Sequence, residues 1–247
     1  LTVETIVVIL HVGSFEEVTM FFDPLYFLFM VPAFLLSLWA QLKVKGAVAK
    51  FSKIPNSSNL TGAQVADAIL KTTGITDVEI EPTEGVLSDH YDPSKKVLRL
   101  SRDVFYGRSI VSAGIAAHEV GHAIQHKNAY SPLVLRQTLA PAAMFGSNIS
   151  WILILLGFIL SSVKMLWLGI GLFSLAVLFT LITLPVEFDA SRRAKEVLLS
   201  MGLVSNYDRE GVSAVLNAAA MTYVAAAATA ILQLIYLILR AQSSSRD

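Results

Sequence analysis

Four long, apolar stretches without charge set the pattern of this chain. Residues 25–42 (LYFLFMVPAFLLSLWAQL) are the first, and a run of this length is at the lower end of what spans a hydrocarbon core of about 30 Å. It predicts a transmembrane helix with a kink at Pro32. Residues 137–163 and 165–186 are uncharged on either side of Lys164 and predict a membrane hairpin over 137–186, with its turn at 161–164 and Pro141 near its start. Residues 211–239 form the fourth run, rich in alanine at 218–220 and 225–228, where small side chains let helices pack closely. Asn217, Thr222, Tyr223 and Gln233 are polar positions inside it.

The patterns between these runs are those of a water-exposed α+β part over residues 43–136. Thr61 is placed to cap a helix that Gly74 ends. Residues 77–81 alternate as a strand does, and residues 85–100 read as a hairpin turning at Asp92-Pro93-Ser94-Lys95. Ser109 then caps a helix running to Lys127. After the membrane hairpin, residues 187–210 predict a second exposed segment, with a helix around Glu196 and a polar loop at 206–210. Residues 1–24 and 240–247 are an N-terminal extension and a C-terminal tail. The first 19 residues carry Glu4, Glu16 and Glu17 but no lysine or arginine, which is not the pattern of a signal peptide.

Charge supplies an orientation. Lys43, Lys45, Lys50 and Lys53 follow the first crossing with no acid among them, whereas only acids precede it. By the positive-inside rule the exposed part faces the cytoplasm, with residues 161–164 and the C-terminal tail outside. Composition agrees with a membrane protein in a lipid bilayer: 15% of residues are charged, against about 25% in soluble domains, and mean hydropathy is +0.61. Net charge is zero and no basic block stands beside exposed aromatics, so nothing points to nucleic acid. The absence of cysteine excludes disulfides and thiolate metal sites.

The chemistry lies in His118-Glu119-Val120-Gly121-His122. On a helix, residues four apart share a face, so both imidazoles can reach one metal ion, and Glu119, one step round, can reach a water on it. Zinc in a hydrolytic site takes three protein ligands and keeps a position for water, whose pKa it lowers toward about 7. His126 continues the four-residue series, but a rise of about 12 Å along the helix from His118 is too far for a shared ion. Glu187 is the candidate third ligand, because it re-emerges from the membrane hairpin on the face that carries the histidines. The competing reading of Glu187 is a boundary carboxylate paired with Arg192 or Arg193. Asp189 and Ser191 are candidates to accept the second imidazole N–H of a ligand. Arg193, Tyr223, His90 and Tyr207 are candidates to stabilise an oxyanion. Asp89-His90-Tyr91-Asp92 offers a further metal-like cluster, read here as a turn.

These motifs, with Leu98-Arg99-Leu100-Ser101 before them and Leu184-Pro185-Val186-Glu187-Phe188-Asp189-Ala190-Ser191-Arg192-Arg193-Ala194 after, resemble the YugP-like membrane zinc metallopeptidases from about Met20 to the C-terminus. More distantly, the layout is similar to the HtpX and CAAX prenyl protease group. There a glutamate after a membrane hairpin is the third ligand and an aspartate follows it by four residues; that place is Ser191 here, and the nearest aspartate is Asp189. The resemblance implies a mainly α membrane protein with a zincin-like cytoplasmic part. Its activity would be that of a gluzincin-like, Zn2+-dependent endopeptidase acting on proteins or peptides, membrane proteins among them. Substrate is expected as an extended strand along the hairpin of residues 86–101. The alternative is a zinc-binding scaffold or chaperone subunit without hydrolysis. A protease cleaving within the membrane fits less well, since Asp103, Arg108 and Lys127 flank the motif.

Overall fold

The computed structural model describes residues 23–244. Most of the N-terminal extension and the last three residues of the tail lie outside them. The first apolar run becomes α1, Pro24–Phe51, capped by Asp23, whose carboxylate accepts the Leu25 N–H at 2.9 Å. The helix passes through Pro32 and continues beyond residue 42. Lys43, Lys45 and Lys50 therefore sit on its exposed continuation, and Lys53 just beyond its end.

The exposed part begins with α2, Gly62–Thr72, which starts in a reciprocal capping box between Thr61 and Gln64 and ends before Gly74 at φ +65°. A three-stranded sheet follows, made of β1 (Glu79–Thr83), β2 (His90–Asp92) and β3 (Val97–Ser101) in the order β1-β3-β2. β1 runs parallel to β3 and β2 antiparallel to it. The expected turn is present: Asp92 accepts from the Ser94 N–H and hydroxyl, contacts that hold its carboxyl down at about 2. The hairpin is shorter than its sequence pattern. Gly85 at φ +102° and Leu87 at φ +54° take left-handed conformations, so residues 85–89 arch away from the sheet. β2 is consequently a three-residue edge strand.

After the short α3, Arg102–Phe105, the motif lies on α4, Ile110–Lys127, with the Ser109 side chain accepting the Ser112 N–H at 3.0 Å. Then come α5 (Ser131–Ile159), α6 (Val163–Ser200) and α7 (Asn206–Ser243). Together with α1 these are four helices long and apolar enough to cross a membrane. Their outward faces carry large exposed apolar side chains such as Phe34, Trp39, Phe145, Ile152 and Leu168, far more than a water-soluble surface normally shows.

α6 is the element that differs most from its sequence pattern. Its 38 residues are about 57 Å long, nearly twice a hydrocarbon core, so the helix carries Glu187 about two-thirds of the way along instead of at the start of a separate segment. Ion pairs at helical spacing, Arg193 with Asp189 and Arg192 with Glu196, support the extension until Gly202 at φ +65° follows its end. Residues 206–210, expected as a loop, open α7, because Ser205 and Asp208 form a capping box. One buried cluster, including Ile69, Leu98, Leu100, Val120 and Leu198, joins the sheet to α2, α4 and the end of α6. A second, including Ile154, Phe173 and Tyr236, holds the apolar helices. The motif belongs to the first cluster through Val120.

Candidate metal centre

The approach of α4 to α6 depends on small side chains. A Cβ built on Gly121 would lie 2.7 Å from the Ala190 carbonyl oxygen, closer than any real contact. Glycine there lets the two backbones meet, and Ala190 and Ala194 are fully buried in the seam. One face of α6 then presents Glu187, Ala190, Ser191 and Ala194 to the motif helix, positions spaced as a helix face requires.

Across this seam, Glu187 Oε2 lies 3.3 Å from His118 Nε2 and 3.7 Å from His122 Nε2. Among the described residues, these three form the one cluster of such side chains placed to share an ion. Oxygen and nitrogen donors on a tetrahedral zinc, with bonds of about 2.0–2.2 Å, sit roughly 3.3–3.5 Å apart; the two glutamate–imidazole separations lie near this, all three donor atoms fall within 4.8 Å of one another, and the donor types suit that ion. A direct charged hydrogen bond would be shorter, about 2.7–2.9 Å.

The remaining ring nitrogens explain why both Nε2 atoms face the centre. His118 Nδ1 lies 3.1 Å from Ser191 Oγ, and His122 Nδ1 lies 3.0 Å from Gln125 Oε1. Gln125 is itself fixed, donating from Nε2 to the Val186 carbonyl at 2.8 Å and to Asp189 Oδ2 at 2.9 Å. Thus Ser191 touches a histidine directly, and Asp189 reaches one through Gln125. An imidazole held this way by its Nδ1–H offers its Nε2 lone pair to a metal. Burial by itself pushes the His122 pKa down, yet contact with Glu187 and the field of Glu119 carry it above the ordinary imidazole value.

Glu119 stands beside this cluster and outside it. Its Oε2 accepts the backbone N–H of Tyr91 at 3.1 Å, which ties the motif helix to the edge strand β2. Tyr91 also brings its hydroxyl within 2.8 Å of His126 Nδ1, so His126 serves this contact and is not in the cluster. Burial pushes the Tyr91 hydroxyl up to about 12.

A cavity of about 320 Å³ opens over the centre and includes His90, Arg136 and Tyr223. Arg136 donates from Nη1 to Glu187 Oε1 at 3.2 Å, leaving Oε2 toward the histidines. Arg193 points elsewhere, bonded to Asp189 and lying 5.8 Å over the Tyr130 ring. Tyr207 is exposed, and Asp92 is spent on its turn.

Residues 26–242 match the family described as putative neutral zinc metallopeptidase. The chain belongs to this family. It is 50% identical over 210 residues, 85% of its own length and 93% of the relative's, to the putative membrane protease YugP of Bacillus subtilis (strain 168). No solved structure matches the chain.

Three residues around this cluster, Tyr91, Gln125 and Arg136, escape sequence reading in the contacts they make here. Gln125 had a usable signal: it stands three residues after His122, on the neighbouring face of the same helix. Tyr91 acts through its backbone and Arg136 through the packing of α5, neither of which spacing reveals.

The seam gives a direct expectation. Gly121→Ala should force α4 away from Ala190, lowering stability by about 1–3 kcal/mol and weakening zinc retention. Thermal unfolding and zinc titration of the purified variant in detergent check this, and unchanged values for both would refute the packing argument.

Proposed function

We propose that the chain is an integral membrane, zinc-dependent endopeptidase whose site faces the cytoplasm, with His118, His122 and Glu187 holding the ion and Glu119 acting as general base. The observation that carries this reading is the placement of Glu187 Oε2 at 3.3 and 3.7 Å from two imidazole nitrogens whose opposite nitrogens are already held. Zinc bound there would polarise the substrate carbonyl and acidify water. Tyr91 N–H holds Oε2 of Glu119, and the other oxygen takes a proton from the attacking water. The water oxygen bonds to the carbonyl carbon, the carbon–nitrogen bond breaks, and Glu119 delivers the proton to the leaving amine. Tyr223, in the same cavity, is the candidate to donate to the oxyanion; Arg136 orients Glu187.

Two features favour cleavage within a chain over trimming at its ends. Glu119 and His118 border a cavity of about 320 Å³ over the metal centre and a second of about 320 Å³ toward α1 and α7, so substrate can extend both ways. Among the described residues the edge strand β2 has a paired strand on one side alone, and its midpoint lies against Glu119. A substrate strand pairing there would place its backbone beside the base, which narrows the expected docking edge from residues 86–101 to His90–Asp92.

Purified protein in detergent is expected to cleave an unfolded test protein, to lose that activity when zinc is stripped by a chelator, and to regain it with one equivalent of zinc. Activity that survives full metal removal would contradict the proposal. For orientation, cysteines replacing Lys71 and Ser243 should be labelled from opposite sides of sealed membranes, and labelling from one side would overturn the cytoplasmic placement.

A further inference from the structure

The second cavity beside Glu119 has a character that the metal centre does not explain. We infer that it is a side-chain pocket that selects an apolar substrate residue next to the cleaved bond, an inference that rests on the peptidase reading above. Its walls come from separate elements. Val44 and Val48, one turn apart, project from the exposed continuation of α1; Ile115 lies one turn before Glu119 on α4; Leu216 and Ala219 come from α7; and Leu87 comes from the arch at residues 85–89. His118 and Glu119 stand at the inner end, so a side chain seated here belongs to a residue whose backbone lies at the base.

Of the polar groups that reach this pocket, Thr222 and Asp89 are already hydrogen-bonded within the protein. Thr222 donates its hydroxyl to the Ala219 carbonyl of its own helix at 2.7 Å. Asp89 accepts the Ser101 N–H at 2.7 Å and the Ser101 hydroxyl at 3.0 Å. Among the described residues, no lysine or arginine lines the cavity. An acidic substrate side chain would therefore lose its water beside the Asp89 and Glu119 carboxylates and find no cation, whereas an apolar one would leave water for an apolar wall. The cavity on the other side of Glu119 contains Arg136, Gln137 and His90, so selection by an apolar pocket should act on one side of the cleaved bond.

Val48, Leu87 and Ile115 also border a larger cavity of about 610 Å³. The pocket is therefore open at its far end, and leucine, methionine and phenylalanine all fit its chemistry. Leu87 is half exposed at the tip of the arch, so this wall can be shortened with little effect on the buried clusters.

The test uses the full chain, zinc-loaded in detergent, and quenched fluorescent peptides built on a cleavage site mapped in an unfolded protein. Leucine, phenylalanine, alanine and aspartate are placed in turn at each residue flanking the bond. At one position, leucine and phenylalanine should exceed aspartate by about tenfold or more in kcat/KM. Ala219→Leu, which fills the pocket, should shift the leucine-to-alanine ratio by about tenfold toward alanine, with zinc content unchanged. Leu87→Ala should raise phenylalanine relative to leucine. Unaltered ratios in both variants, with the unsubstituted protein active, would overturn the pocket and leave the peptidase reading intact. Binding of the same peptides to Glu119→Gln and to Glu119→Gln/Ala219→Leu, followed by fluorescence anisotropy, separates the two claims. If zinc-loaded protein cleaves nothing, the peptidase reading fails. The pocket then stands if leucine peptides bind more tightly than aspartate peptides and Ala219→Leu removes the difference, and falls if no such order appears.

Discussion

Glu119→Gln is expected to abolish peptide hydrolysis while leaving zinc in place. The three donor atoms that fit the ion come from His118, His122 and Glu187, and none belongs to Glu119. Glutamine keeps the shape and an oxygen that can still accept the Tyr91 N–H, so the edge strand stays against α4. Its amide cannot take a proton from water, and a lost general base costs about a hundredfold to ten-thousandfold in rate. Turnover of a quenched peptide, measured beside the metal content of the same sample, checks both halves. Loss of zinc from this variant would move Glu119 into the ligand set.

The second large effect is expected at Glu187. Glu187→Ala removes one of three donors and also leaves the Arg136 guanidinium, now without its 3.2 Å partner, beside the two histidines. A positive charge facing a metal cation in a buried site opposes binding, so zinc affinity should fall by more than the 10–100-fold typical of losing a supporting hydrogen bond. Competition with a chelator of known affinity measures it. Adding Arg136→Leu to Glu187→Ala should recover part of the loss, which a missing ligand alone would not predict. His126→Ala is the contrasting variant, expected to retain zinc because its Nδ1 contacts Tyr91.

Much of this architecture is legible in the sequence because its signals are local. Uncharged runs of membrane length mark α1, α5, α6 and α7, and the caps at Thr61 and Ser109 mark the starts of α2 and α4. Glu187 can be read from order along the chain, since a hairpin returns it to the side of the histidines. What stays hidden is set by contacts between distant elements. The parallel pairing of β1 with β3 leaves no turn signature. α6 passes through the expected boundary at residue 187 because ion pairs and the seam with α4 outweigh the change in polarity. The polar residues 206–210 resemble a loop until Ser205 and Asp208 are seen to cap each other. Arg136, by charge the last residue of the exposed part, turns out to lie on α5 and to brace Glu187.

Hydrolysis of peptide bonds within a protein chain by this His-His-Glu cluster is tested most directly by mass spectrometry of an unfolded protein incubated with the purified, zinc-loaded chain in water enriched in heavy oxygen, with Glu119→Gln as control. Internal fragments that carry the heavy label at each new C-terminus are expected from the unsubstituted protein and not from the variant. Intact substrate in the presence of protein that holds one zinc per chain would contradict this expectation and favour a zinc-binding scaffold, and equal fragmentation by both proteins would remove Glu119 from the chemistry.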